Sequence, residues 1–168
     1  MDTYASETNK GVSVWGNFSE SDLSFRPHGR SSTVLEIMKH QLLSERRLFG
    51  EFLGVPESEA AAVLPVDLSM ARLRERMFQL ALPRLAFLAG RDQACWLETA
   101  HFFDAERQRI SIFWRRVLHT AHHRTQRTVY FRLLNESVPA TYGPTADVTW
   151  DGADPTLSVE AASRQGKG

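Results

Sequence analysis

The sequence has a single cysteine, Cys95, so the chain cannot form an internal disulfide and carries no sign of an oxidising compartment. It also lacks any apolar run near the roughly 18 residues that a membrane-spanning helix needs. The first residues, MDTYASETNK, have neither the basic nor the apolar region of a signal peptide. We therefore predict a cytoplasmic protein without a transmembrane segment.

Net charge is absent as well, because 20 Lys and Arg residues balance 20 Asp and Glu residues. No overall field therefore attracts DNA or an acidic membrane. Lysine is scarce, with only Lys10, Lys39 and Lys167, and every other basic residue is arginine. The planar guanidinium group suits phosphates and carboxylates, although GC-rich coding produces the same composition.

No motif in the sequence identifies a reaction: it has no glycine-rich nucleotide loop, no G-x-S-x-G and no H-E-x-x-H. Two spacings suit a metal, namely His119 with His122 and His123, and the pair Glu98 and His101. Di-iron bundles need a second E-x-x-H unit, which is missing, and exposed histidines beside arginines are the ordinary explanation of the first spacing. We therefore assign no catalytic residue, no metal ligand and no cofactor, and expect no enzymatic activity.

The stretch from Asp92 to Leu134 dominates the sequence because no glycine or proline interrupts it. Gly90 is predicted to end one helix, and Asp92 is predicted to be the N-cap of the next. A single helix of this length would measure roughly 65 Å, so we expect it to bend, break or pair with another chain. Asp104 is one possible interruption, and the β-branched and aromatic run 128–131 is a second, although we favour a helix at 128–131.

This predicted helix has two faces at about 100° per residue. The apolar face consists of Ile110, Phe113, Trp114, Val117 and Leu118. The Arg/His face consists of Arg109, Arg116, His119, His123 and Arg127. The pattern is typical of a core helix with a solvated outer face, and a surface that binds anions, or an interface, is the alternative.

The remaining sequence predicts a mainly α fold, a helical hairpin or bundle of long amphipathic helices with flexible polar termini. We divide it into an irregular N-terminal arm (1–32), a helical domain (33–134) and a flexible acidic C-terminal tail (135–168). Thr33 and Glu36 have the spacing of a capping box at the start of a helix, and Pro83 is expected to bend or break a second helix. The predicted core comprises Leu35, Met38, Leu42, Phe52, Leu73, Met77, Leu80, Trp96, Phe103, Ile110, Phe113 and Val117.

The run Leu85-Ala86-Phe87-Leu88-Ala89-Gly90-Arg91-Asp92-Gln93-Ala94, followed by Leu97-Glu98 and Phe102-Phe103, resembles the phasins. In that family a helix ends in a short turn of Ala, a small residue, Arg and Asp or Pro, and a long amphipathic helix follows. The resemblance covers roughly residues 76–117 and implies a non-enzymatic coat protein of polyhydroxyalkanoate granules. The chain departs from the family in its arginines and bulky aromatic residues, which stand where phasins have Ala, Gln and Glu.

We therefore predict a non-enzymatic, self-associating interaction, scaffold or surface-coating protein that acts through its amphipathic helices. Long helices in a small chain often bury their apolar stripes against a second copy, so a homo-oligomer is expected, with a protein or an apolar surface as further partner. The alternative is a nucleic-acid or phosphate-binding protein that uses the Arg/His stripe of residues 107–127.

Overall fold

The computed structural model describes residues 1–148 and has five α-helices and one small sheet in that range. The helices are α1 (Asp2–Trp15), α2 (Val34–Arg47), α3 (Met70–Ala89), the short α4 (Gln93–Leu97) and α5 (Arg109–Leu133). Between α4 and α5 lies an antiparallel hairpin of β1 (Thr99–Phe102) and β2 (Ala105–Gln108). A π-helical turn over Leu48–Phe52 extends α2, and 3₁₀ turns occur at Glu20–Ser24 and Ala60–Ala62. The predicted mainly α fold is confirmed.

Two hydrophobic clusters reveal the directions of the four main helices. One cluster joins the end of α1, the first halves of α2 and α3, and the end of α5, with Trp15 and Phe131 among its members. The other joins the start of α1, the segment after α2, the second half of α3 and the first half of α5, with Tyr4 and Phe113 among its members. Helices α2 and α3 therefore run parallel to each other and antiparallel to α1 and α5.

Local capping signals behave as the sequence predicts. The Thr33 hydroxyl accepts from the backbone N–H of Glu36 at 3.1 Å, and the Glu36 carboxylate accepts from the backbone N–H of Thr33 at 2.7 Å. Asp92 caps α4 by accepting from the backbone N–H of Cys95 at 2.8 Å. Pro83 does not break α3, which continues through it over 20 residues.

Between the two hydrophobic clusters the interior of the bundle contains buried charges. The carboxylate of Glu45 on α2 is fully buried and accepts from Arg84 Nη1 at 2.8 Å, Arg116 Nη2 at 3.0 Å and the Tyr4 hydroxyl at 3.1 Å. Buried ion pairs of this kind persist because each carboxylate is neutralised and hydrogen-bonded. The charges therefore belong to the core of the fold.

The buried charges continue along α5 towards its end. Arg124 forms an ion pair with Glu7 of α1, with Arg124 Nη2 and Glu7 Oε2 3.3 Å apart. Arg127 is fully buried, lies with its guanidinium carbon 5.0 Å from the centre of the Trp15 ring, and makes no side-chain hydrogen bond to a residue within 1–148. Burial lowers the pKa of Arg127 well below its ordinary value, and the nearby charge of Arg124 lowers it further.

The irregular N-terminal arm predicted for residues 1–32 is wrong in its first half, where α1 forms. Val12, Val14 and Trp15 of this helix are fully buried. Its Ser, Thr, Asn and Gly residues are weak helix formers, so the helix depends on packing against α3 and α5. Most of the predicted acidic tail, residues 149–168, lies outside the described residues.

The stretch from residue 92 to residue 134, which we expected to bend, break or pair with another chain, is broken into two helices. The β1–β2 hairpin separates α4 from α5, and Phe103 at its turn has φ 56°, a left-handed conformation unusual for a large residue. The expected interruption at Asp104 coincides with this turn, whereas residues 128–131 are helical as favoured. A non-glycine turn gives no composition signal, which explains the missed hairpin.

The two faces assigned to α5 are partly exchanged in the structure. Arg116 and Arg127 are 1% and 0% exposed, whereas Trp114 and Leu118 are 44% and 67% exposed. For Arg116 and Arg124 the cause is the neutralising carboxylates of Glu45 on α2 and Glu7 on α1, whereas Arg127 is buried against Trp15 without a carboxylate partner within residues 1–148. In the predicted core, Phe103 is exposed, Leu35, Phe52, Trp96 and Ile110 are half-buried, and the others are buried.

No helix within residues 1–148 combines the length and the apolar character that crossing a membrane requires.

Candidate metal centre

Three histidine side chains meet where α2 and α5 face each other. His119 and His123 lie one turn apart on α5, so their side chains share a face. His40 reaches them from α2. The Nε2 atom of His119 lies 3.2 Å from Nε2 of His123 and 3.5 Å from Nε2 of His40. One ring nitrogen from each histidine falls within 4.8 Å of the others.

Two of the three separations between these nitrogens match a tetrahedral metal ion, and the third is within 4.8 Å. With zinc–nitrogen bonds of about 2.0–2.1 Å, two nitrogen ligands in a tetrahedral site lie about 3.3 Å apart. Both Nε2 separations from His119, 3.2 and 3.5 Å, are close to that value. Among residues 1–148 no carboxylate or thiol joins the three histidines, which leaves a coordination position for a ligand from solution. Three protein ligands and an open position characterise catalytic rather than structural zinc sites.

The surroundings of the three imidazoles favour the neutral form that metal ligation requires. Burial, together with the charge of Arg116, lowers the pKa of His119 to about 3. Burial lowers the pKa of His123 to about 4, and burial followed by the charge of Arg116 also lowers the pKa of His40. The same environment therefore removes the protons that would compete with a metal ion.

Gln126 sets the tautomer of His123. Its side-chain oxygen Oε1 accepts from Nδ1 of His123 at 3.0 Å, so the ring carries its proton on Nδ1 and leaves Nε2 free. Metal-ligating histidines usually make such a bond to a carbonyl or carboxylate oxygen.

Arg116 makes the corresponding contact to His119, with a different consequence. Its Nη1 donates to Nδ1 of His119 at 2.9 Å. Nδ1 can accept this bond only if the ring carries its proton on Nε2. A metal ion at Nε2 requires the proton on Nδ1, and the contact must then open. Arg116 keeps its bonds to the Ser44 hydroxyl at 2.8 Å and to Glu45 Oε1 at 3.0 Å.

A cavity of about 210 Å³ lies beside the histidines. Helix α2, the turn after it, the β1–β2 hairpin and α5 supply its walls. Its lining consists of the two histidines His40 and His119, the polar Ser44, the arginines Arg47, Arg115 and Arg116, and the apolar Leu48, Phe52, Phe102 and Phe103.

Of the predicted Arg/His face, only His119 and His123 enter the cluster. Arg116 lies behind it, Arg109 pairs with Glu98 at 3.0 Å between Arg109 Nη1 and Glu98 Oε2, and Arg127 is buried elsewhere in the bundle. The buried guanidinium groups of Arg116 and Arg127 are inaccessible to a phosphate backbone, so two of the five residues named for the nucleic-acid alternative cannot take part.

The predicted apolar face does not form one surface. Phe113 and Val117 are in the core, Ile110 is half-buried, and Trp114 and Leu118 are exposed.

Sequence reasoning missed His40 altogether. It lies 79 positions from His119, and nothing near it in the sequence indicates a ligand. The spacing of His119 and His123 was a usable signal, but His122, the third histidine of that motif, is exposed and stays outside the cluster.

Comparisons with known proteins agree on a family. A family model described as the DinB family matches residues 4–152. A DinB-like protein from Bacillus cereus has a similar structure, with a TM-score of 0.69 and 18% identity over 80% of this chain and 89% of that chain. A DinB-like protein from Bacillus subtilis gives a TM-score of 0.63 and 18% identity over 82% and 93% of the two chains. No curated protein has a matching sequence.

Because the family model spans most of the sequence, the chain belongs to the DinB family. The resemblance to phasins is therefore wrong, since a turn between two helices and a few hydrophobic positions are common to many helical proteins. The scaffold or surface-coating function, which we predicted from the amphipathic helices, is wrong as well, because the chain belongs to the DinB family.

Proposed function

We propose that this member of the DinB family is a metal-dependent enzyme whose centre is held by Nε2 of His40, His119 and His123. The observation that carries the proposal is the convergence of these atoms, with separations from His119 of 3.2 and 3.5 Å and no fourth ligand within residues 1–148. When bound, a divalent ion of the zinc type acts as a Lewis acid and lowers the pKa of a protic group that coordinates it.

The residues around the histidines have distinct tasks in this proposal. Gln126 orients the ring of His123 through the bond to Nδ1. The hairpin residues Phe102 and Phe103 cover one side of the cavity and restrict water there. The cavity volume of about 210 Å³ is below the roughly 300 Å³ at which sites for drug-sized ligands begin. We therefore expect a small substrate.

The metal content of the purified full chain tests the proposal. After incubation with zinc or cobalt and removal of free ions, we expect about one equivalent per chain by inductively coupled plasma mass spectrometry. Replacing His40, His119 or His123 by Ala should lower the affinity by more than the roughly 10–100-fold typical of outer-sphere changes. A cobalt-loaded wild-type chain should show the visible bands of four-coordinate cobalt.

His122→Ala is the matched control, because His122 is exposed and adjacent in sequence to His123 but outside the cluster. It should bind metal like the wild type. The proposal fails if the wild type takes up no metal, or if all four variants bind it equally.

Two predictions from the sequence are kept alongside this proposal. A cytoplasmic location can be tested by cell fractionation, and a homo-oligomer by light scattering of the purified chain.

A further inference from the structure

We propose that the cavity beside the three histidines takes a small organic anion with an apolar body, and that Arg115 recognises its charged group. The inference deepens the proposed function by naming the substrate class of that centre, and it rests on the proposed function for the role of the cavity. The recognition residues, however, are separate from the metal ligands and can be tested separately.

The charge of the cavity is the first argument. Three arginines and no carboxylate are among its lining residues. Arg116 is neutralised by Glu45, with Arg116 Nη2 and Glu45 Oε1 3.0 Å apart. Arg47 is paired with Glu51, with Arg47 Nε and Glu51 Oε2 3.0 Å apart, and Arg46 contacts the other oxygen of the same carboxylate at 3.6 Å. Arg115 forms no ion pair or hydrogen bond with any residue of 1–148, so its positive charge is available to a ligand.

The position of Arg115 is the second argument. Its guanidinium carbon lies 5.7 Å from the centre of the Phe102 ring, an arrangement that orients an arginine without consuming its hydrogen-bond donors. A guanidinium group offers a fork of N–H donors that matches a carboxylate or phosphate. Arg115 can therefore bind an anion at the wall of the cavity while other groups of the ligand lie near the histidines.

The aromatic wall is the third argument. The Phe52 ring packs against Phe102 and Phe103 with centroid separations of 4.8 and 5.5 Å. Phe103 reaches this position although its backbone is left-handed (φ 56°), a conformation that costs free energy in a large residue. It is also 56% exposed. A ligand with an apolar body would cover this ring. The strained turn would then serve to place Phe103 against the ligand.

Benzoate and benzamide are suitable probes, because they have nearly the same shape and differ in charge. We would titrate each into the zinc-loaded full chain by calorimetry, with acetate as an anion without an apolar body. Benzoate should bind more tightly than both. Arg115→Gln should weaken benzoate about 10–100-fold, the range for a lost hydrogen bond to a charged group, and leave benzamide binding and zinc content unchanged.

Arg107→Gln is the matched control, since Arg107 is an exposed hairpin arginine that lines a neighbouring cavity but not this one. It should bind benzoate like the wild type. Equal affinities for benzoate and benzamide, or wild-type benzoate affinity in Arg115→Gln, would overturn the inference.

Repeating the titrations on the chelated chain separates the two proposals. If the chain takes up no zinc but benzoate binding still depends on Arg115, the metal proposal fails and the anion site stands. If zinc binds through the three histidines and the affinity for benzoate does not depend on Arg115, the metal proposal stands and the anion site fails.

Discussion

Two neighbouring stripes of α5 carry polar side chains, and they differ in whether those side chains have carboxylate partners. The inner stripe contains Arg116 and Arg124, which are buried and paired with Glu45 and Glu7 on other helices. The edge stripe contains His119 and His123, whose Nε2 atoms face each other and His40 with no carboxylate beside them. A buried arginine with a carboxylate partner stabilises the fold. Histidine nitrogens that converge without a carboxylate indicate a binding site instead.

The largest effect should come from removing the charge of Glu45 on α2, which neutralises Arg116 of the inner stripe. Glu45→Gln keeps the size of the side chain but leaves Arg116 buried without its counter-charge. We expect a loss of about 3–5 kcal/mol in the free energy of unfolding, the range for removing one partner of a buried pair. Urea denaturation of the metal-free chain measures it.

Glu75→Gln is the control for that experiment, because Glu75 pairs with Arg72 at the surface, with side chains 50% and 60% exposed. Its cost should stay below about 1 kcal/mol. Equal losses in the two variants would show that the inner stripe contributes no more than a surface pair.

A smaller effect is expected from Gln126→Leu, which tests the edge stripe through His123. Without the oxygen that accepts from Nδ1, the His123 ring loses its fixed tautomer. The zinc affinity should fall about 10–100-fold with little change in stability. Competition with a chromogenic chelator gives the affinity, and the exposed Gln79→Leu on α3 should show no change.

A further effect concerns the acid stability of the metal-free chain. The pKa of His119 is lowered to about 3 and the pKa of His123 to about 4, against about 6.5 for an unfolded histidine. The unfolded chain thus binds more protons below pH 6.5, so this contribution is present above pH 6.5 and is lost as the pH falls towards the folded values.

The pair of substitutions His119→Gln and His123→Gln should therefore flatten the dependence of unfolding free energy on pH between 5 and 7. Denaturation series at several pH values in a chelator would show this. An unchanged slope in the double variant would contradict the assignment of both histidines as neutral groups.

Local signals predicted local structure well. The capping box at Thr33 and Glu36 and the cap at Asp92 were readable because both depend on residues within one turn. Helix α1 was missed because its stability comes from Trp15 packing into a distant cluster. The hairpin was missed because its turn uses Phe103 rather than glycine.

The site was harder to predict because it depends on tertiary partners. Half of it, His119 and His123, was visible as a spacing on one helix. His40 was invisible, since only the antiparallel packing of α2 against α5 brings it close. The burial of Arg116 was equally unreadable, because it requires Glu45 from another helix.

The separation of His40 and His119 has a further consequence for the lifetime of the chain. An ion held by both would tie together positions 79 residues apart, with α3, α4 and the hairpin inside the loop. The unfolded chain would lose loop entropy worth about 4–5 kcal/mol at 25 °C in the limit of a permanent cross-link. The supply of the metal ion would then set the stability of the chain. In cells short of the ion the chain would unfold more often and would be degraded sooner by proteases.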